Sequence, residues 1–226
     1  MIRAVIFDLD NTLMDFMRLK RMSCEEAMDA MIDAGLDIPK EKAMKKLFSL
    51  YDTYGIEYKE IFQKFLKETI GKIDFKILAS GIVAYRRVKN GFLAPYPGVR
   101  RTLLSLRQMG VKLAILSDAP RMRAWTRLAA MGLTDYFDVV VTFDDTKVTK
   151  PHPRPFEKVL KLLNISRGEA VMVGDWPERD LKGAREMGIT TCYAKYGSVK
   201  TYAKVNTDHV LTRVTDLIKV VEKENR

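Results

Sequence analysis

Two aspartates stand two residues apart where the first apolar run of the chain ends. Residues 5–7 are β-branched or aromatic, which is typical of a buried strand, and Asp8 and Asp10 follow. Because side chains alternate along a strand, a pleat that persists through this pair would point both carboxylates to the same side. Like charges held that close need a cation, a shared proton or full solvation. A buried strand end disfavours full solvation, so the spacing predicts a hard cation such as Mg²⁺.

Polar side chains also follow two later apolar runs, so the acidic pair is more than a polar exit from a strand into a loop. Ser117 closes the run of residues 111–116, and Asp175 comes just after residues 170–173. In an open parallel sheet, ligands bind beyond the carboxyl ends of the strands. Groups that are far apart in sequence but placed alike on neighbouring strands converge there. We therefore expect Asp8, Ser117 and Asp175 to share one site.

Four segments of the chain resemble, in order, the four motifs of the haloacid dehalogenase (HAD)-like hydrolase superfamily. The third of them places Lys150 before a proline, at the entry to a helix. The segments are residues 8–12, Ser117, residues 150–153 and residues 174–180. The resemblance spans nearly the whole chain. It implies Mg²⁺ as the cofactor and a small phosphorylated metabolite as the substrate.

The resemblance also implies a division of labour among these residues. Asp8 would be the nucleophile that forms an aspartyl-phosphate, and Asp10 would be the general acid on the leaving group and the base for the hydrolytic water. Ser117 would hydrogen-bond the transferring phosphoryl group, and Lys150 would offset its charge. Asp8, Asp175 and the backbone carbonyl of Asp10 would hold the metal. Alone, a serine at a strand end is a common turn residue, and a lysine is usually exposed. Ser117 and Lys150 are therefore predicted to be catalytic only because they occur together with the other motifs.

Two positions depart from the pattern of many relatives. Asp118 follows the motif serine where an asparagine is common, and we count it among the substrate-binding residues. Its charge would repel a phosphate unless it is turned away or paired, and Arg121 or Arg123 is the expected partner. Arg179 stands just before Asp180, where an asparagine is also common. Asp180 lies farther round a helical turn, so we expect it to support the metal ligands rather than to bind the ion.

The segment between the first and second motifs has a helical pattern throughout. Apolar side chains recur at helical spacing in four stretches with short connections, which is typical of a helical bundle. A capping-box pattern at Ser23 would start the first helix there, although the periodicity begins near Met17. In the HAD-like family an insertion at this place is the cap. We therefore expect a four-helix cap domain over residues 16–92 and a core domain over residues 1–15 and 93–226.

Helix and strand patterns alternate through the rest of the chain, which is the signature of an α/β fold with a parallel sheet. The expected core is Rossmann-like, with helices on both faces of the sheet. Its elements include a strand over residues 139–143 and a helix over residues 178–187. Thr12 is expected to shape the turn after the acidic pair, and Trp125 to lie in the core. Trp176 is expected either to line the pocket or to pack, and the sequence supports both roles equally.

The composition disfavours several classes of protein. The 226 residues carry a net charge of +10, but basic residues are interspersed with acidic ones, which is typical of solvated helix faces rather than of a nucleic-acid surface. The longest apolar stretches are of strand length, so no membrane span is expected, and no signal peptide is recognisable. We therefore expect a cytoplasmic protein with Cys24 and Cys192 reduced. Only two glutamines beside abundant Lys, Arg and Glu resemble the surface composition of a thermophile.

Together these features predict a Mg²⁺-dependent phosphatase that acts as a monomer or homodimer. A phosphomutase or phosphotransferase would use the same core with a different acceptor. A 2-haloacid dehalogenase is disfavoured because that branch has an aromatic residue where Asp10 stands, and because Asp175 binds metal. The alternative from a different class is a weakly active regulatory or binding protein that keeps the site but works through a partner surface.

Overall fold

A six-stranded parallel sheet is the centre of the computed structural model, which describes residues 1–91 and 93–226. Along the chain the strands are β1 (Ala4–Phe7), β2 (Lys112–Leu116), β3 (Val139–Val141), β4 (Ala170–Gly174), β5 (Thr190–Ala194) and β6 (His209–Leu211). Across the sheet they lie in the order β3-β2-β1-β4-β5-β6, and every pair is parallel. The predicted α/β class with a Rossmann-like parallel sheet is confirmed.

The position of β1 in the sheet explains why the predicted site residues converge. All four residues of β1 are fully buried, as expected for a strand covered on both faces. Phe7 pairs with Ile115 of β2 on one side and with Val173 of β4 on the other. Asp8, Ser117 and Asp175 follow these three paired positions within two residues. The carboxyl ends of three adjacent strands therefore carry the predicted residues.

Helices occupy the segment between β1 and β2, the connections from β2 to β5 and the stretch after β6. They are α1 (Phe16–Asp33), α2 (Lys40–Tyr54), α3 (Ile61–Ile70), α4 (Phe75–Gly91), α5 (Val99–Gln108), α6 (Arg121–Ala130), α7 (Phe143–Thr146), α8 (Pro153–Leu163), α9 (Lys182–Glu186) and α10 (Asp216–Glu224). Helix α8 packs Phe156 and Val159 in a cluster with Ala4 and Ile6 of β1. None of the helices in the described part of the chain combines the length and the hydropathy needed to cross a membrane.

By their internal contacts the residues form two compact units. One consists of Met1–Phe16 with Leu93–Arg226 and contains the sheet, and the other is Met17–Phe92. Each unit has an apolar cluster of its own, as separate domains do. Residue 92, the last of the predicted cap, lies outside the described residues. That the second unit serves as a cap stays a prediction.

Helices α1 to α4 make up the second unit and meet through their apolar faces. Met28 and Met31 of α1 are fully buried in this cluster. Ser23 lies inside α1, and its hydroxyl donates to the Leu19 carbonyl oxygen at 2.8 Å. The helix therefore begins where the apolar periodicity begins, and the capping-box match at Ser23 is accidental.

Two predicted elements differ from the structure near the sheet. Strand β3 stops at Val141, and Thr142 instead begins α7 through a capping box with Asp145. The predicted helix over residues 178–187 is interrupted, because Pro177–Leu181 forms one π-helical turn before α9. Such wide turns occur most often at functional sites.

Candidate active site

Lys150 is buried at the carboxyl end of the sheet, where it contacts two carboxylates. Its Nζ lies 2.6 Å from Oδ1 of Asp8 and 2.7 Å from Oδ1 of Asp180. It also donates to the Leu116 carbonyl oxygen at 2.8 Å, which ties it to the end of β2. Burial lowers the pKa of Lys150, but the carboxylates of Asp180 and Asp8 raise it by more, so the side chain stays charged.

Three carboxylates lie close together beside this lysine. One oxygen each from Asp8, Asp175 and Asp180 lies within 4.8 Å of the others. Burial raises the pKa of Asp8 and Asp175, and their carboxylate neighbours raise it further while Lys150 opposes them. When all three carboxylates are ionised, the single charge of Lys150 leaves an excess of negative charge that a divalent cation would neutralise. Because the donors are all carboxylate oxygens, the set fits Mg²⁺.

Both oxygens of Asp180 already have protein partners. Oδ1 pairs with Lys150, and Oδ2 accepts a hydrogen bond from the Trp176 amide at 3.0 Å. A Cβ at Gly174 would overlap the Asp180 side chain, so this close approach depends on glycine. Asp180 is thus near enough to be counted with the candidate ligands, but its contacts favour the supporting role that the sequence predicted.

The turn after the acidic pair contributes to the site as well. Asn11 has a left-handed φ of 61°, which asparagine tolerates, and Thr12 follows it. The Thr12 hydroxyl donates to Oδ1 of Asp175 at 3.2 Å, and the Tyr196 hydroxyl donates to the Thr12 carbonyl oxygen at 2.8 Å. Thr12 was predicted only to shape the turn. Here it also orients a candidate metal ligand.

Asp10 has a cationic partner of its own. Its Oδ2 accepts a hydrogen bond from Nη1 of Arg127 in α6, and the arginine side chain is buried. The Arg127 guanidinium lies over the Phe16 ring, 4.6 Å from the centroid. Burial raises the pKa of Asp10, while Arg127 and Lys150 oppose that rise.

Ser117 is buried immediately after β2. Its hydroxyl oxygen accepts a hydrogen bond from the Ala119 amide at 3.1 Å, and its own amide donates to the Val141 carbonyl oxygen at 2.9 Å. The residue before it, Leu116, is the one whose carbonyl binds Lys150. Ser117 is therefore joined to the acidic cluster through the backbone, while the described contacts do not link its hydroxyl to the carboxylates.

Arg179, the second residue that departs from the family pattern, compensates the charge of Asp118. Oδ2 of Asp118 forms an ion pair with Arg179, and Oδ1 accepts a hydrogen bond from the Lys150 amide at 2.9 Å. The prediction that Arg121 or Arg123 pairs with Asp118 is wrong. Arg121 instead binds Asp145 of α7, 2.6 Å away. The two departures, at positions 118 and 179, thus form one pair.

The two tryptophans are both partly exposed. Trp125 is 39% exposed, so its prediction as a core residue is wrong, because α6 buries Ala124, Arg127 and Leu128 instead. Trp176 is 41% exposed, and the Arg179 guanidinium lies 4.8 Å from its ring centroid. It therefore packs against a residue that contacts the site.

Arg127 and Tyr196 were missed at the level of sequence. Arg127 stands on the apolar face of α6, three residues after Ala124 and next to Leu128. A charge on a buried helix face was the available signal, because such a charge needs a partner. Tyr196 has no comparable signal, since its role depends on how the chain turns after β5.

Comparison with known proteins places the chain in a family. The sequence pattern of the haloacid dehalogenase-like hydrolases matches residues 2–188. The chain belongs to this family. The predicted resemblance is thereby confirmed, and so is the prediction that this HAD-like protein is a hydrolase.

Relatives of this HAD-like hydrolase align along nearly its whole length. It is 34% identical over 223 residues to a glyceraldehyde 3-phosphate phosphatase from Methanocaldococcus jannaschii, with 98% of each chain covered. It is 29% identical over 237 residues to the pyrophosphatase PpaX of Bacillus anthracis, with 100% of this chain and 99% of the relative covered. A HAD phosphatase from Thermococcus onnurineus superposes with a TM-score of 0.70 at 27% identity, covering 97% of this chain and 98% of the other. Some of the relatives come from thermophiles, in agreement with the composition.

Proposed function

We propose that this HAD-like hydrolase is a Mg²⁺-dependent phosphatase that hydrolyses a small phosphorylated metabolite through an aspartyl-phosphate on Asp8. The observation that carries the proposal is the buried contact of Asp8 with Lys150, beside Asp175 and Asp180. A carboxylate nucleophile, a fixed positive charge and a set of acidic metal ligands are what attack on an anionic ester requires. The phosphatase names of the whole-length relatives support the same reaction class.

The reaction proceeds in two displacements at phosphorus. A carboxylate oxygen of Asp8 attacks, the bond between phosphorus and the ester oxygen breaks, and Asp10 gives its proton to the departing oxygen. Water then attacks the phosphorus of the aspartyl-phosphate, and Asp10 accepts the proton that the water loses. Inorganic phosphate leaves and the Asp8 carboxylate is regenerated. Lys150 offsets the phosphoryl charge in both steps, and the Ser117 hydroxyl hydrogen-bonds a phosphoryl oxygen.

Asp8, Asp175 and the backbone carbonyl of Asp10 are the groups that would hold the ion. When bound, Mg²⁺ supplies positive charge against the phosphoryl oxygens. Thr12 keeps Asp175 oriented, and Asp180 keeps Lys150 against the nucleophile. Outer contacts of this kind set the position of the first ligands.

The names of the relatives provide two candidate substrates for this protein. Glyceraldehyde 3-phosphate is the first candidate, because the relative from M. jannaschii that is named for it matches over 98% of both chains. Pyrophosphate is the second, because the PpaX relative aligns with the whole of this chain. We further propose that residues 16–92 form the cap that excludes water from the reaction, since this separate helical unit is inserted just after the first motif. The cytoplasmic location and the monomeric or homodimeric state stay predictions.

Phosphate release tests the proposal directly. The wild type is incubated with p-nitrophenyl phosphate, glyceraldehyde 3-phosphate, pyrophosphate and a panel of phosphorylated metabolites, with Mg²⁺ and with a chelator. We expect release that requires Mg²⁺ and that disappears in Asp8→Asn. Asp135→Asn, an acid-to-amide change at an exposed position of the same unit, is the matched control and should retain full activity.

Three results would contradict parts of the proposal. If a folded wild-type protein that binds Mg²⁺ releases no phosphate from any ester, phosphatase activity is excluded as its function. If release persists in Asp8→Asn, the aspartyl-phosphate path is excluded. If an added sugar acceptor becomes phosphorylated faster than phosphate is released, the enzyme is a phosphotransferase.

A further inference from the structure

Arg127 is a buried charge that the reaction scheme above does not use. It lies on α6, only 4% exposed, and Nη1 of its guanidinium donates to Oδ2 of Asp10. The face of the guanidinium is covered by the Phe16 ring at 4.6 Å. Burying an arginine is costly unless its charge is paired. Here the Asp10 carboxylate pairs with the charge of Arg127, and the Phe16 ring packs on the face of the guanidinium. The arrangement fixes where the Asp10 side chain lies.

The two oxygens of Asp10 have unequal environments. Oδ2 is bound to Arg127, whereas Oδ1 is buried and has no hydrogen-bond partner among residues 1–91 and 93–226. A buried carboxylate oxygen without a partner is unusual, because its desolvation is not compensated. One oxygen is thus anchored, and the other has the capacity to exchange a proton.

We infer that Arg127 is a positioning residue for proton transfer, which holds Asp10 through Oδ2 and leaves Oδ1 to serve the leaving group and the attacking water. The inference rests on the proposed function, in which Asp10 is the general acid and base. Arg127 needs no contact with the substrate in this role. Its effect is on the orientation of Asp10, and a proton donor that is misplaced by about 1 Å loses much of its effect.

Leaving groups of different basicity separate this role from a merely structural one. p-Nitrophenolate departs with little need for a proton, whereas phenolate and more basic leaving groups depend on one. The measured quantity is kcat/KM for a series of substituted phenyl phosphates, because it reports the steps up to departure of the leaving group. In Arg127→Met we expect kcat/KM to fall about 10- to 100-fold for phenyl phosphate and less than about threefold for p-nitrophenyl phosphate. An equal fall across the whole series would overturn the inference.

Two further variants sharpen the kinetic test. Arg127→Lys keeps the charge but lacks the planar fork that binds Asp10 and stacks on Phe16, so its selectivity should lie between those of wild type and Arg127→Met. In an Asp10→Asn background, Arg127→Met should change kcat/KM by less than about twofold, because the group that it positions is already disabled. A loss in that background as large as in the wild type would mean that Arg127 acts independently of Asp10. Arg121→Met, on an exposed residue of the same helix, is the control and should match the wild type.

Crystal structures of wild type and Arg127→Met test the positioning without any turnover. We expect the Asp10 carboxylate to take another rotamer, or several, in the variant. An Asp10 side chain in the same rotamer in both structures would overturn the inference. If the wild type hydrolyses no phosphate ester, the proposed function fails, while the structural comparison still decides whether Arg127 positions Asp10.

Discussion

Asp180 contacts both Lys150 and the backbone beside Asp175, although we do not assign it as a metal ligand. Its Oδ1 holds Lys150 and its Oδ2 holds the Trp176 amide, so Asp180→Asn would weaken the restraint on Lys150 without removing a metal ligand. We expect this change to raise the Mg²⁺ concentration for half-maximal activation about 10- to 100-fold, as found for outer-sphere partners of metal ligands. The measurement is phosphate release against Mg²⁺ concentration, with Asp135→Asn as the control.

A comparison with Asp175→Asn decides which of the two residues, Asp175 or Asp180, binds the metal directly. It removes a proposed direct ligand, so Mg²⁺ should fail to restore its activity at concentrations that restore Asp180→Asn. If Asp180→Asn is instead the variant that Mg²⁺ does not restore, Asp180 is the ligand and the assignment of these two residues must be reversed.

The pair formed by Asp118 and Arg179 predicts coupled effects on stability. Removing one charge leaves the other without this partner, whereas removing both leaves two neutral amides. We expect Asp118→Asn and Arg179→Asn to be non-additive, with a coupling energy of about 0.5–1 kcal/mol because both side chains are partly exposed. Urea unfolding of the two single variants and the double variant measures it. Strict additivity would show that the contact contributes no stability.

The strand ends were the part of the fold and site most easily predicted from sequence. Apolar runs that stop at Asp8, Ser117 and Asp175 identified the strands, and parallel packing requires such ends to meet. The place of Lys150 in the same site was predicted from the resemblance of the motif set to the HAD-like family. The predictions from the strand ends depend on local pattern and a general rule of sheet topology, and neither requires knowledge of side-chain packing.

The partners of these residues could not be predicted in the same way. Arg127 reaches Asp10 across 117 residues, and Arg179 reaches Asp118 across 61, so neither pair has a fixed sequence spacing. The π-helical turn at Pro177–Leu181 contains Asp180, whose contact with Lys150 spans 30 residues and likewise has no local sequence signal. Local patterns establish which elements exist, but long-range ion pairs depend on the final packing.

The loop after β5 supports the turn that carries the acidic pair, because Tyr196 and Gly197 of this loop contact the backbone of that turn. A Cβ on Gly197 would collide with the backbone oxygen of Asn11, which cannot move without moving its neighbours Asp10 and Thr12. We expect Gly197→Ala to lower the free energy of unfolding by about 1–3 kcal/mol, as overpacking does, and to reduce kcat as well. Thermal unfolding and phosphate release measure the two effects.

Gly168→Ala is the matched control for this substitution. The site is exposed, and a Cβ there would meet no atom within 4 Å. It should leave both stability and activity unchanged. A Gly197→Ala protein that is as stable and active as this control would show that the support from the loop is dispensable.

The acidic site is expected to link the stability of the folded protein to pH and to the binding of Mg²⁺. Because burial raises the pKa of Asp8 and Asp175, the folded metal-free protein keeps protons that the unfolded chain loses above about pH 4. Its stability should therefore fall as the pH rises from there through the raised pKa values. Mg²⁺ competes with these protons, so it should stabilise the protein more at pH 8 than at pH 5.5.

Calorimetry at the two pH values tests this linkage. At saturating Mg²⁺ we expect the unfolding temperature at pH 8 to rise by about 5–10 °C, with a smaller rise at pH 5.5. The double variant Asp8→Asn/Asp175→Asn should lose the response to Mg²⁺ at both values. An equal response of the wild type at pH 5.5 and pH 8 would exclude these two carboxylates as its source.

The central place of β1 has a consequence for how the protein is made on the ribosome. β1 is translated before both of its neighbours in the sheet, which are residues 112–116 and 170–174. The unit Met17–Phe92 is continuous and has its own apolar cluster, so it can fold while the rest of the chain is still being synthesised. The proposed nucleophile Asp8 has no completed surroundings until Asp180 has left the exit tunnel. If Asp8 acts as proposed, we expect a nascent chain to stay inactive until the later strands are in place.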